Sequence, residues 1–145
     1  MTTAINGHGA TLSSCADTNF ASVTTFGQIT NISGPNLTRD SIDVSNMGST
    51  EGWKEHIKGM LDGGEITADV IYDGTTFASA MYAQFTNPTA YWRVTMNDHT
   101  TAASRSNITC AGFVTSLGHT IPVGDKVSQS VTIKLTGVAS YNPHA

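Results

Sequence analysis

The chain has 145 residues, enough for one domain with a real core. It is 39% hydrophobic and only 12% charged, about half the roughly 25% of an average soluble protein, while Thr and Ser together number 36. A net charge of −4, with 7 Lys and Arg scattered along the chain, argues against a module that grips a phosphate backbone.

The start, MTTAINGHGATLSS, has neither a basic segment nor an apolar one, so it does not read as a secretory leader. No apolar run approaches the roughly 20 residues of a membrane span. Synthesis in a cytoplasm is expected, and the sequons at Asn31, Asn36 and Asn107 are then chance products of a Thr-rich chain. Cys15 and Cys110 form no C-x-x-C pair and read as two reduced, partly buried thiols.

Residues 1–22 are polar, contain Gly7 and Gly9, and read as an arm outside the core. Phe26 to Ser33, FGQITNIS, alternates and predicts a strand, with Ile29 and Asn31 on one face and Gln28, Thr30 and Ile32 on the other. GPN at 34–36 bends or ends it. SIDVS at 41–45 is a short extended piece.

The stretch around 49–61 predicts a short helix. Ser49 can cap its first turn, and Glu51 sits where the helix dipole favours a negative charge. Trp53, Ile57, Met60 and Leu61 fall on one stripe, and Gly59 or Gly63–Gly64 ends it. About nine helical residues are marginal alone. The stripe is therefore expected to cap the core, with Trp53 and Ile57 contributing about 2–3 kcal/mol each by burial.

GEITADVIYD at 64–73 alternates cleanly. Ile66, Ala68, Val70 and Tyr72 share one face, and Glu65, Thr67, Asp69 and Ile71 the other. Asp73–Gly74 is a turn signal. In 75–87, Phe77, Ala80, Met81 and Gln84 or Phe85 fit a short helix better than a strand. TAYWRVTMND at 89–98 reads as a strand, followed by a polar loop. Segments 108–121 and 126–140 read as two long strands joined by PVGD and so antiparallel neighbours. In the last, Val127, Gln129, Val131, Ile133 and Leu135 alternate with Ser128, Ser130, Thr132, Lys134 and Thr136, the pattern of a half-solvated sheet. The whole is mainly β: a single domain over 1–145, a sandwich or small barrel of about six or seven antiparallel strands with one flanking short helix.

The search for chemistry yields little. G-x-S-x-G, H-E-x-x-H and a P-loop are absent, and GHGATL at 7–12 lacks the third glycine and the preceding strand of a dinucleotide fingerprint. The histidines at 8, 56, 99, 119 and 144 have no ligand spacing. Asp98 and His99 adjoin in a polar loop, where neighbouring side chains point apart. Asp40, Asp43 and Asp62 lack calcium-loop spacing. Neither an enzyme nor a cofactor is expected. Long half-polar strands with few charges describe instead a building block whose sheet edges must be paired or covered.

Two segments carry a resemblance. DSIDVSNMGSTEGWKEHIKGMLDGGEITADVIYDG at 40–74 has the order of a D-x-I-D-V-S/T entry, a Gly-Trp helix and a D-x-G-E strand. CAGFVTSLGHTIPVGDKVSQSVTIKLTG at 110–137 has G-F-V-T-S, I-P-V and V-T-I-K-L-T-G, and YWRVTMND lies between the two. Over about 25–137 the chain resembles the tail tube (major tail) proteins of long, non-contractile-tailed phages and related gene transfer agents.

The resemblance implies a virion protein forming hexameric rings, stacked into a tube through which DNA is delivered. It implies a lumen lined by a continuous barrel, and loops 34–49 and 59–64 reaching a neighbouring subunit or ring. Partners implied are further copies of the chain, a tape measure, a terminator, a distal tail protein, and DNA in transit without specific binding. No membrane partner is implied. The immunoglobulin-like C-terminal domain of some relatives is not expected. Glu65 and Asp69 are placed on the lumen side, and Trp53 and Ile57 as the cap of the sandwich. Two alternatives remain: a ring-forming tube protein of a bacterial injection apparatus, and a monomeric ligand-binding sandwich.

Overall fold

The computed structural model describes residues 4–21, 23–26, 28–72, 76–86 and 90–143. The elements are β1 Thr11–Cys15, β2 Thr24–Phe26, β3 Ile29–Ser33, β4 Thr38–Asp43, β5 His56–Asp62, β6 Glu65–Ile71, α1 Thr76–Thr86, β7 Ala90–Thr95, β8 Asn107–Thr120 and β9 Ser128–Asn142. Seven strands form one antiparallel sheet in the order β2-β1-β7-β8-β9-β6-β3, and β4 pairs with β5 in a separate hairpin. Contact between β1 and β3 brings the two ends of the large sheet together, so it curls around one core. This is the expected mainly β sandwich.

Alternation drives the curl. Ile66, Ala68 and Val70 in β6 and Val131, Ile133 and Leu135 in β9 are buried as read from their period of two. Trp92 in β7 is fully buried, stacks on Phe26 at 5.9 Å and donates its indole N–H to the Gly112 carbonyl at 3.2 Å. That bond satisfies the polar end of the largest core residue.

Two bulges adjust which side chains reach the core. Thr30 is an extra residue between Ile29↔Val70 and Asn31↔Asp69. Strict alternation puts Ile29 and Ile32 on opposite faces. The extra residue turns both toward the core, correcting the predicted facing of this strand. Thr115 does the same for Val114 and Leu117 in β8.

The arm expectation fails at residues 11–15. β1 pairs with β2 and β7, and Leu12, Ser13, Ser14 and Cys15 are all buried. Its polar composition hid a strand covered on both faces.

The helix expected at 49–61 is also overturned. A single 3-10 turn at Thr50–Gly52 leads into β5. Glu51 (φ 54°) and Gly52 (φ 75°) adopt left-handed backbone, which ends helical winding. Gly59 weakens any helix there, and β4 supplies the ladder that stabilises the strand instead. At Gly59 a Cβ would stand 2.7 Å from that of Asp40, so only glycine admits this close approach of the strands. Trp53 is 74% exposed and Ile57 53% exposed, so neither caps the core. The cap is α1, the helix expected in 75–87, which packs on β8 and buries Met81. The side chains of Phe77 and Ala80, and the Asp73–Gly74 turn, lie outside the described residues.

Candidate functional site

The chain's distinctive surfaces are a wall, two strand edges and a hairpin. The wall is the outward face of β8-β9-β6-β3. Register aligns Phe113, Lys134 and Glu65 in one row, Ser116, Thr132, Thr67 and Ser33 in the next, and Gly118, Ser130, Asp69 and Asn31 in a third. Glu65 and Asp69 therefore share this face, opposite the core residues Ile66, Ala68 and Val70. Asp69 accepts a 2.9 Å hydrogen bond from the Ser130 hydroxyl. Lys134 lies 3.5 Å from Asp62. The Gly64 N–H and then the Lys134 charge hold the Asp62 carboxyl below its ordinary pKa. The wall is thus a hydroxyl-rich surface whose one ammonium is already paired.

Both sides of this wall are unpaired edges. β3 pairs only with β6. Among the described residues, β7 reaches only Asn107–Gly112 of β8, so Phe113–Thr120 has β9 on one side and no described strand on the other. Eight residues of strand span about 27 Å of open ladder. Sequence reading identified the long strand and the shorter neighbour but not this consequence of their unequal lengths.

The β4–β5 hairpin carries a run of exposed apolar side chains. Met47, Trp53, Met60 and Leu61 are each at least 70% exposed, joined by Leu37, Ile42 and Ile57. Ser45, Asn46, Ser49 and Glu55 stitch its tip together through side-chain hydrogen bonds. The tip has a defined shape without a core beneath it.

The remaining candidates shape local structure. Asp98 accepts from the Ser106 N–H at 2.9 Å and from its hydroxyl, while the His99 carbonyl accepts from Arg105 Nε at 2.9 Å. Asp43 accepts the Ser45 N–H, and Asp62 that of Gly64. No cluster of three metal-binding side chains occurs among the described residues. Cys15 shares the outward face with Tyr91 and Ala111, whereas Cys110 lies on the core face with Trp92. Placed on opposite faces, the two thiols do not bridge. Burial pushes Cys110 up to about 11.

The family model described as lambda phage tail tube protein matches residues 5–142. Among solved structures, the tail of an empty gene transfer agent particle, refined with C6 helical symmetry, is similar at TM-score 0.70 and 17% identity, covering 96% of this chain and 99% of that one. The SPP1 tail tube gives TM-score 0.69 and 8% identity over 97% of this chain and 80% of that one. The sheath–tube complex of an extracellular contractile injection system, PVC, gives 0.70 and 14% over 97% and 92%. No curated protein sequence matches. With the family model spanning nearly the whole chain, this mainly β sandwich belongs to the lambda phage tail tube protein family.

Proposed function

We propose that the chain is a structural virion subunit that forms six-membered rings stacked into a tail tube, with the β8-β9-β6-β3 wall lining the channel. The carrying observation is a polar four-stranded wall bounded by two unpaired edges. Open edges are a liability for a monomer. Pairing the β3 edge of one copy with Phe113–Thr120 of the next removes both edges and closes a barrel. The C6 symmetry belongs to a relative of the same fold, and it supplies the number of copies for this reading.

In this arrangement Glu65 and Asp69 look into the channel. Acidic and hydroxyl groups do not condense on a polyanion, so DNA passes without being held. Terminator and cap proteins appear in structures of the same fold and are natural partners at the tube ends. A tape measure inside the tube and a distal tail protein at its tip complete the set. The subunit is read as having no catalytic role. The likeness to injection-system tubes supports a second reading that keeps the assembly and changes the cargo.

Adjacent residues of a strand present their N–H groups to opposite sides, so of Gly118→Pro and His119→Pro one removes a donor from the free edge. That variant is expected to keep the wild-type melting temperature and to form no tubes by negative-stain microscopy, while the other unfolds more easily. Tubes of normal yield from both variants, or a wild-type protein that stays monomeric at high concentration, would falsify the edge-pairing account.

A further inference from the structure

We infer that the outward face of β1-β7-β8 is the receptor for the tip of the β4–β5 hairpin of a second copy, with Glu51 seated between Arg93 and Arg105. This rests on the assembly reading above and names its contact.

The receptor has two adjoining clefts. One, of about 310 Å³, is floored by Thr11, Ser13, Thr25 and Thr95 and carries Arg93 and Arg105. Register centres Arg93 in a row of hydroxyls, Thr25, Ser13 and Thr109. The Phe20 ring covers its guanidinium at 4.6 Å, and its Nε is buried with no hydrogen-bond partner. Arg105 is fixed by its Nε bond to the His99 carbonyl. Among the described residues no carboxylate stands within ion-pair distance of either guanidinium. A buried, unpartnered guanidinium N–H is costly, and two neighbouring cations without an anion repel. The arrangement suits a carboxylate, whose two oxygens match guanidinium donors.

On the other side of Phe20 lies a second cleft, of about 270 Å³, lined by Phe20, Tyr91, Gly137 and Val138. Gly137 (φ 76°) sits where β9 takes four steps to two of β8, between Thr136↔Ala111 and Ser140↔Thr109. That bulge pushes Val138 out to 82% exposure beside the aromatic rings.

The hairpin tip carries the complementary pair. Glu51 is exposed, makes no hydrogen bond or ion pair among the described residues, and is presented by left-handed backbone at the turn. Trp53, two residues on, is 74% exposed. An acid without a cation and an indole without a pocket thus match a cation pair without an acid and an adjoining aromatic cleft. Aromatic and Arg anchors are the groups that dominate protein interfaces.

The test is a charge swap read by the critical concentration for tube assembly, with subunit melting temperature as the control for folding. Glu51→Arg is expected to raise the critical concentration about tenfold or more without shifting the melting temperature, and Arg105→Glu to raise it as much with no larger a melting-temperature change than Arg105→Gln, which loses the same bond to the His99 carbonyl. Arg105→Gln, which adds no charge, raises it by a smaller factor. The double variant Glu51→Arg/Arg105→Glu is expected to return within about threefold of wild type. Singles that leave assembly unchanged, or a double as impaired as the two singles combined, overturn the docking while leaving the assembly reading intact. Inorganic phosphate that raises the melting temperature of wild type but not of Arg105→Gln, with Glu51→Arg assembling normally, assigns the cleft to a free oxyanion and overturns it too. Wild-type protein that never forms rings or tubes sinks both readings.

Discussion

Trp92 shows how much of the core was legible from a single residue. Its strand was read at 89–98, and the structure buries the side chain fully with its N–H on the Gly112 carbonyl. Trp92→Ala is expected to cost about 3–5 kcal/mol, since it empties a large volume and leaves that carbonyl short of a donor. Chemical denaturation of the variant against wild type checks it, and a loss below about 1 kcal/mol contradicts the packing. Cys110 carries a pH prediction. Its folded pKa is raised from 9.0 to about 11 by burial. The unfolded thiol therefore loses its proton first, and stability falls as pH rises from about 9 toward 11. Cys110→Ala should flatten that limb of the pH–stability curve, and an unchanged slope would show that the thiol contributes nothing to it. Sequence reading expected a reduced, partly buried thiol here, and the structure buries it, but which face of β8 it occupies was not readable before the register is known.

At the scale of elements, the half-buried strands were readable because each has one apolar face. β6 and β9 appear where their period of two placed them. β1 was missed because a strand covered on both faces by loops and neighbours needs no alternation, and its Ser and Thr residues read as surface. The segment 53–62 was misread because Trp53, Ile57, Met60 and Leu61 satisfy a helical stripe while His56–Asp62 also suits an extended chain. A stripe of this kind implies burial only if the chain is considered alone. Here the same side chains are exposed, and a neighbouring copy is what gives an apolar hairpin its reason. Trp53→Ala is accordingly expected to change subunit stability by less than about 0.5 kcal/mol and to weaken tube assembly. Thermal unfolding of the subunit and sedimentation of assembled material measure the two effects separately. A large loss of subunit stability would restore the core-capping role that the exposed indole contradicts.

For the molecule as a whole, fold class followed from composition and alternation, whereas function followed from what the fold leaves unpaired. The open edge of Phe113–Thr120 exists because the described ladder of β7 begins at Ala90, opposite Gly112, and the wall exists because the bulges at Thr30 and Thr115 keep polar rows facing one way. Neither feature has a motif. Charge on the wall carries a functional prediction. Reversal of both Glu65 and Asp69 to Lys is expected to leave tubes intact and to reduce DNA delivery, because a cationic lining holds a polyanion through counterion release. Delivery assays on particles carrying the variant check it, and normal delivery through intact tubes would show that these acids have no part in passage.

Electron cryomicroscopy of assembled tubes tests the central claim most directly. The account predicts six copies per ring, with the β3 edge of each paired to Phe113–Thr120 of the next and with Glu65, Thr67 and Asp69 facing the channel. A reconstruction that places those three side chains on the tube exterior, or joins copies through other edges, contradicts it.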